Sequence, residues 1–223
     1  MWVRVNAQRY VRQARLLALA ILDPLYRRIK YSSLSVLLDT APVRWLRSWI
    51  TPGMAPTDVL RVIDTLISGG VPCWLVGGWG VDALLGGPTR KHVDVDVAID
   101  GSDEERALLA LQRDGFAVVN RNILPAWMPR LIVLRDSRRR WIDLMLVDVP
   151  APDPSQETRP PSMQFCYADD SLADGMLDGR VVRCLSPQVQ LLFHTGYPAR
   201  MSDRHDVQLL TAHFGQPAPE GYT

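Results

Sequence analysis

From residue 52 onward, apolar and polar positions alternate in two distinct rhythms. Val59, Leu60, Val62, Ile63, Leu66 and Ile67 recur at helical spacing behind Pro56-Thr57, and Gly69-Gly70 stops them, which predicts an amphipathic helix. Pro72 to Val76 is a short unbroken apolar run of strand length. Gly77-Gly78 breaks it, and Trp79 to Leu85 reads as a short helix before Gly86-Gly87-Pro88. Val93, Val95, Val97 and Ile99 then alternate with Asp94, Asp96, Ala98 and Asp100, the period of a strand. Ser102 with Glu105 three residues on reads as a capping box for a helix to Gln112, closed by Gly115. Strands are expected at Phe116–Val119, Leu131–Arg135 and Trp141–Val147, and a Pro-rich loop from Pro150 to Pro161. Ser186-Pro187 opens a helix by the N-cap and N1 preferences, and a last helix covers Asp203–Thr211.

The first fifty residues follow neither rhythm closely. Tyr10, Leu16, Leu17, Ala20, Ile21 and Leu25 fit one side of a helix ringed by Arg9, Arg12, Arg15, Arg27 and Arg28, with Pro24 ending or bending it. Nine Arg/Lys face two Asp in residues 1–50, whereas the whole chain of 223 residues carries only +1, so a basic arm precedes a mildly acidic body. Two readings stand: a surface helix for anionic lipid or RNA, or a helix packed on the domain with solvated arginines. The arm also has transit-peptide character, and Met54 is an alternative start of the compact domain. The organisation expected is an extension at 1–53, a core at 54–150 and a loop-plus-helix part at 151–223.

Cys73, Cys166 and Cys184 show no C-x-x-C spacing; no disulfide framework or zinc site follows, and Cys73 and Cys184 read as reduced core residues. The longest apolar run, Leu16 to Leu22, is too short to cross a bilayer, and no small-residue cleavage site adjoins it. A cytoplasmic protein is expected.

Chemistry concentrates around Asp94 and Asp96. Two residues apart on a strand, they share a face with roughly 6.6 Å between their backbones. Two carboxylates so placed repel each other unless a cation lies between them, and a hard divalent ion such as Mg²⁺ near NTP phosphates is the natural partner. Asp143, inside the apolar run Trp141–Leu146, is the candidate third carboxylate. Taken singly, each of these acids reads equally as a solvated strand charge. Gly77-Gly78 between a buried strand and a helix lets backbone N–H groups approach phosphate, and Arg90 or Lys91 can help neutralise it.

Gly77-Gly78-Trp79-Gly80-Val81-Asp82 followed by Thr89-Arg90-x-His92-x-Asp94-x-Asp96 closely resembles the lincosamide and aminoglycoside nucleotidyltransferases, small members of the DNA polymerase β-like superfamily. The resemblance continues through Asp143, Arg183 to Ser186, Gln190 to Tyr197 and Asp203 to Leu210, so it spans roughly residues 55–212 and omits the arm. It implies an α+β fold: a mixed sheet flanked by helices, with a helical N-terminal extension and a small helical C-terminal part. It also implies that Asp94, Asp96 and Asp143 hold Mg²⁺, in two ions, with Asp143 as candidate general base. Gly77 and Gly78 would meet the phosphates of an NTP, ATP first, with Arg90 assisting. Asp82 and His92 would brace the site by hydrogen bonds, and His194, Tyr197 and Asp206 would line the acceptor or nucleotide pocket or simply pack.

The activity expected is transfer of a nucleoside monophosphate to an acceptor hydroxyl with release of pyrophosphate. A small hydroxylated molecule is the leading acceptor, with lincosamide and aminoglycoside antibiotics as the family precedent and antibiotic resistance as the role. The alternatives are tRNA or a protein acceptor, and a catalytically silent binding domain. The basic arm leans toward RNA and the acidic body against it. Trp127, Trp141 and Tyr167 are the aromatic residues available for stacking, with packing the commoner task.

Overall fold

The structure, a computed structural model, describes residues 53–121, 130–147, 171–195 and 198–222, besides the isolated Ile29, Thr40, Pro42 and Val43. The chain divides into two units, residues 1–52 with 196–202 and residues 53–195 with 203–223, and the elements below belong to the second apart from the start of the last helix. The expected N-terminal helix, the Pro150–Pro161 loop, Trp127, Cys166, Tyr167 and Tyr197 lie outside the described residues. No helix among the described residues is long and apolar enough to cross a membrane.

Helix α1 (Pro56–Ser68) starts with proline at its first position, where the missing N–H costs nothing, and Asp58 reaches back to accept from the Ala55 N–H at 3.1 Å. Val59, Leu60, Val62, Ile63 and Leu66 are buried as the periodicity predicts. Ile67 is not: it stands 58% exposed, because the stripe is narrower than six residues and its last member has turned past the sheet. Strand β1 (Cys73–Val76) is buried throughout and runs directly into helix α2 (Gly77–Leu84). The helix thus begins two residues earlier than Trp79, with the glycine pair as its first turn rather than a break before it.

Strand β2 (Asp94–Asp100) follows. Its exit differs from expectation: the Asp100 carboxylate, not Ser102, does the capping, accepting from the Ser102 N–H at 2.7 Å. One 3₁₀ turn (Gly101–Asp103) comes next, and helix α3 (Glu104–Arg113) starts after it, so the Ser102–Glu105 capping box does not form. Strands β3 (Ala117–Arg121), β4 (Arg130–Arg135) and β5 (Trp141–Val147) lie close to their expected spans.

Two further strands, β6 (Leu172–Leu177) and β7 (Arg180–Leu185), form a hairpin in the part expected as loop and helices, where only the run around Cys184 reads from sequence as strand-like. Asp178 (φ +51°) and Gly179 (φ +75°) make its two-residue turn, both residues left-handed as a tight hairpin requires. Helix α4 (Pro187–Leu192) then opens at Ser186-Pro187, although the Ser186 hydroxyl makes no capping bond, and helix α5 (Met201–Phe214) outruns its expected limits at both ends.

All seven strands form one mixed sheet in the order β3-β4-β5-β2-β1-β7-β6. Strands β2 and β5 run parallel at its centre, and β1 is antiparallel to β2 and parallel to β7. Alternation sorts the side chains of the central strands into two sets. Val95, Val97 and Ile99 of β2 join Ile142, Leu144 and Leu146 of β5 in the main core with α1 and α3. The other set contains Asp94, Asp96 and Asp143. A second cluster, Val81 with Leu191, Val207 and Leu210, fastens α2 to α4 and α5. Cys73 and Cys184 are free and buried as expected, and burial pushes both thiols up to about 12.

Candidate active site

The register of the two central strands decides which acids meet. Asp96 of β2 pairs directly with Asp143 of β5, and Asp94 pairs with Trp141. In-register partners on parallel strands share a face about 4.8 Å apart, and Asp94 lies two residues along from Asp96 on that face. All three sequence-predicted carboxylates therefore occupy one patch of sheet. Their surroundings differ: Asp94 and Asp96 are partly exposed, whereas Asp143 is 0% exposed on a strand buried along its whole length. Among the described residues no three His, Cys, Asp or Glu side chains are already drawn together as a metal cage. The donor set on this face is nonetheless oxygen-only, which suits a hard divalent cation and not a soft one.

The glycine turn lies against these acids. Val76, the last residue of β1, pairs with Asp96, so the chain enters α2 directly beside that carboxylate. Gly77 has φ +58°, and a Cβ there would sit 2.9 Å from Asp96 Oδ2. The positive φ favours glycine, and any side chain at this position would have to push the Asp96 carboxylate aside. A Cβ on Gly78 would come within 2.5 Å of His92 Cε1 and would also strike the Arg90 guanidinium. On Gly80 it would run into Gln190 Nε2 and lie 2.8 Å from the Leu75 carbonyl oxygen. Three glycines of one helix are thus demanded by the crowding of site residues around its first turns. The N–H groups of a helix's first turn have no acceptor within the helix. That of Gly77 is taken by the side chain of Gln190, which accepts from it at 3.1 Å.

Around the turn runs a set of buried polar contacts. Asp82, 0% exposed, meets His92 Nε2 at 2.5 Å through one oxygen; through the other it accepts from the Thr89 N–H at 3.0 Å and the Thr89 hydroxyl at 2.7 Å. The His92 ring packs against Trp79 with centroids 4.5 Å apart and planes tilted by 36°. Asp82 and His92 make the bracing hydrogen bond that the sequence motif implied. Arg90 is held by a bidentate pair of bonds to Asp206 of α5, at 2.8 and 2.6 Å. Burial works to lower the Arg90 pKa, and the hydrogen bonds and charge of Asp206 outweigh it, so the value is raised and the guanidinium stays charged. Lys91 is exposed. Trp141 is buried at 4% exposure with Arg135 over its ring, a packed residue rather than an open stacking platform. His194 is also buried, and its carbonyl accepts from the Tyr222 hydroxyl at 2.9 Å.

Two residues of this site were not assigned these places from sequence. Gln190 looks like any polar residue of a short helix, and only the pairing of β7 with β1 brings α4 over the glycine turn. Asp206 stood among possible pocket residues, but its ion pair with Arg90 joins positions 116 apart in sequence.

A model of the aminoglycoside-2''-adenylyltransferase family matches residues 58–210. The chain belongs to this family. The matched segment contains the glycine turn, all three carboxylates, Gln190 and the Arg90–Asp206 pair, and it excludes the basic arm. Among curated relatives of the family, the chain is 26% identical over 153 residues to a lincosamide resistance protein of Staphylococcus haemolyticus, covering 69% of this chain and 92% of that protein. It is 52% identical over 45 residues to a 2''-aminoglycoside nucleotidyltransferase of Escherichia coli, covering 20% of this chain and 25% of that one. Solved structures agree on the fold. Lincomycin-bound lincosamide antibiotic adenylyltransferase LnuA superposes with a TM-score of 0.59 at 24% identity, over 72% of this chain and 99% of that one. The complex of ANT(2'')-Ia with adenylyl-2''-tobramycin gives 0.55 at 18% identity, over 72% and 89%. Family membership makes the chain a nucleotidyltransferase, an enzyme that takes an NTP as substrate.

Proposed function

We propose that this enzyme transfers AMP from ATP, with Mg²⁺, to a hydroxyl of a small polyhydroxylated antibiotic of the lincosamide or aminoglycoside class. The observation that carries the reading is the register of β2 on β5, which aligns Asp96 with Asp143 and sets Asp94 on the same face beside the glycine turn. The relatives named for lincosamides and for aminoglycosides support the acceptor class.

In the proposed reaction the acceptor oxygen attacks the α-phosphorus. A new oxygen–phosphorus bond forms, the bond to the β-phosphate oxygen breaks, and pyrophosphate leaves with that electron pair. Asp94, Asp96 and Asp143 are the residues that would hold two Mg²⁺ ions, which supply positive charge at the reacting phosphate and the leaving group. Asp143 takes the acceptor's proton, directly or through one water. The first turn of α2, from Gly78 onward, offers backbone donors to the triphosphate at the positive end of a helix. Arg90 adds a fixed positive charge whose direction Asp206 sets. Asp82, through Thr89 and His92, holds the loop that delivers Arg90 and Asp94 to the site. Such chemistry depends mostly on positioning and electrostatics, which is what a braced, glycine-lined turn beside a carboxylate face provides.

The test incubates the purified protein with α-³²P-labelled ATP, CTP, GTP or UTP, magnesium, and separate pools of lincosamides, aminoglycosides, tRNA and protein. Label entering an antibiotic pool from ATP, with none in tRNA or protein, is the expected result. Label entering tRNA or protein instead would overturn the acceptor assignment while leaving nucleotidyl transfer intact.

A further inference from the structure

We propose that Gln190 is a positioning residue for the nucleotide-binding turn, acting through Gly77 rather than touching substrate. The inference rests on the reading of that turn as the NTP site.

Gln190 is 0% exposed, and its Oε1 accepts from the Gly77 N–H at 3.1 Å across 113 residues of sequence. Gly77 is the left-handed residue whose backbone lies against Asp96, so the bond fixes the hinge between β1 and α2 at the point where the carboxylate face begins. The Gln190 Nε2, buried in the same place, has no hydrogen-bond partner among the described residues. A buried amide with an unused donor is less favourable than an apolar side chain of like size. Gln190 thus carries the cost of an unused donor and offsets it at the Gly77 N–H, which an apolar side chain could not pair, so its contribution is local to that turn. The protein also keeps a slot for this amide, because Gly80 lacks the Cβ that would occupy its position. Helix α5 adds an independent tether to the next residue: Asp206 fixes Arg90, and Arg90 packs on Gly78. The two C-terminal helices thus aim the turn as well as cover it, and loss of the Gln190 tether is felt by the nucleotide more than by the acceptor.

The test uses the full chain carrying Gln190→Met, which keeps the volume but removes the acceptor. Gln190→Asn, whose oxygen is too short to reach, is the second variant should the first fail to fold. Three readouts are taken: hydrogen exchange of the Gly77 amide by ¹⁵N NMR, titration with a non-hydrolysable ATP analogue, and the separate KM values for ATP and acceptor. The expected result is Gly77 exchange and analogue dissociation each raised by about tenfold, with KM for ATP rising and KM for the acceptor within about twofold. Unchanged Gly77 exchange in a folded variant would overturn the proposal. So would faster exchange with unaltered analogue binding, or equal losses for ATP and acceptor that track a falling melting temperature. Failure of the underlying reading looks different: in the unmodified protein the Gly78 and Trp79 amides would not shift on adding the analogue.

Discussion

Two Gly-Gly pairs eight residues apart do opposite jobs. Gly69-Gly70 ends α1 at an exposed corner, where a Cβ on Gly69 would lie 2.9 Å from the Ala110 Cβ of α3, and Gly70 has φ +73° with nothing closer to its would-be Cβ than an arginine nitrogen at 3.9 Å. Gly77-Gly78 begins α2 in the middle of the sheet, where Gly77 also has positive φ but both residues are pressed by Asp96, Arg90 and His92. The dipeptide is the same, and one glycine of each pair is left-handed. The difference is in the neighbours: the first pair serves the backbone and the apolar packing of α1 on α3, and the second makes room for the charged and polar side chains of the candidate site. A glycine pair by itself therefore does not separate a helix stop from a candidate phosphate turn; the side chains that converge on it do.

Adding one methyl group to each pair separates the two roles most strongly. Gly78→Ala displaces His92 and Arg90, and is expected to lower kcat/KM by on the order of 100-fold while destabilising the fold by about 1–3 kcal/mol. Steady-state rates and chemical denaturation measure both. Next in size, Asp206→Ala leaves Arg90 without its buried partner: unfolding free energy should fall by about 3 kcal/mol, with KM for ATP raised more than KM for the acceptor. At the first pair, Gly70→Ala faces only the left-handed backbone, so about 1 kcal/mol of stability is lost and the transfer rate is unchanged. A rate loss there comparable to that of Gly78→Ala would remove the distinction.

The smallest effect concerns the start of the same α1 helix. Burial works to raise the Asp58 pKa, but the Ala55 N–H and the Arg140 guanidinium outweigh it and hold the value below 3.8. A carboxylate depressed in the folded state stabilises above its unfolded value, and that contribution is lost as pH falls through the folded one. Urea titrations should show the onset of this loss below about pH 4, and Asp58→Asn should flatten that limb while costing about 1 kcal/mol or less at pH 7.

What could be read in the sequence was local. The alternation around Val93–Ile99 and the apolar run Trp141–Val147 predicted β2 and β5 within a residue, and the same alternation put Asp94 and Asp96 on one face. That Asp143 stands opposite Asp96 depends on a parallel register that alternation alone does not determine; the sequence offers Asp143 only as a candidate third carboxylate, and the register is seen in the structure. The β6–β7 hairpin was missed although its turn, Asp178-Gly179, is a strong hairpin signal between two short runs. The capping box failed because Asp100, two residues earlier, already holds the Ser102 N–H. Gln190 had no local signal, since its role exists only once β7 has paired with β1 and carried α4 across the glycine turn.

In the proposed reaction the paired carboxylates of β2 and β5 carry out transfer from the nucleotide. Single-turnover transfer of α-³²P-labelled ATP by the Asp96→Asn variant, with its fold checked by circular dichroism and thermal melting, tests it most directly. If these carboxylates do so, the rate falls by at least about 1,000-fold in a protein that melts normally. A folded variant that still adenylylates its acceptor at close to the wild-type rate would contradict it.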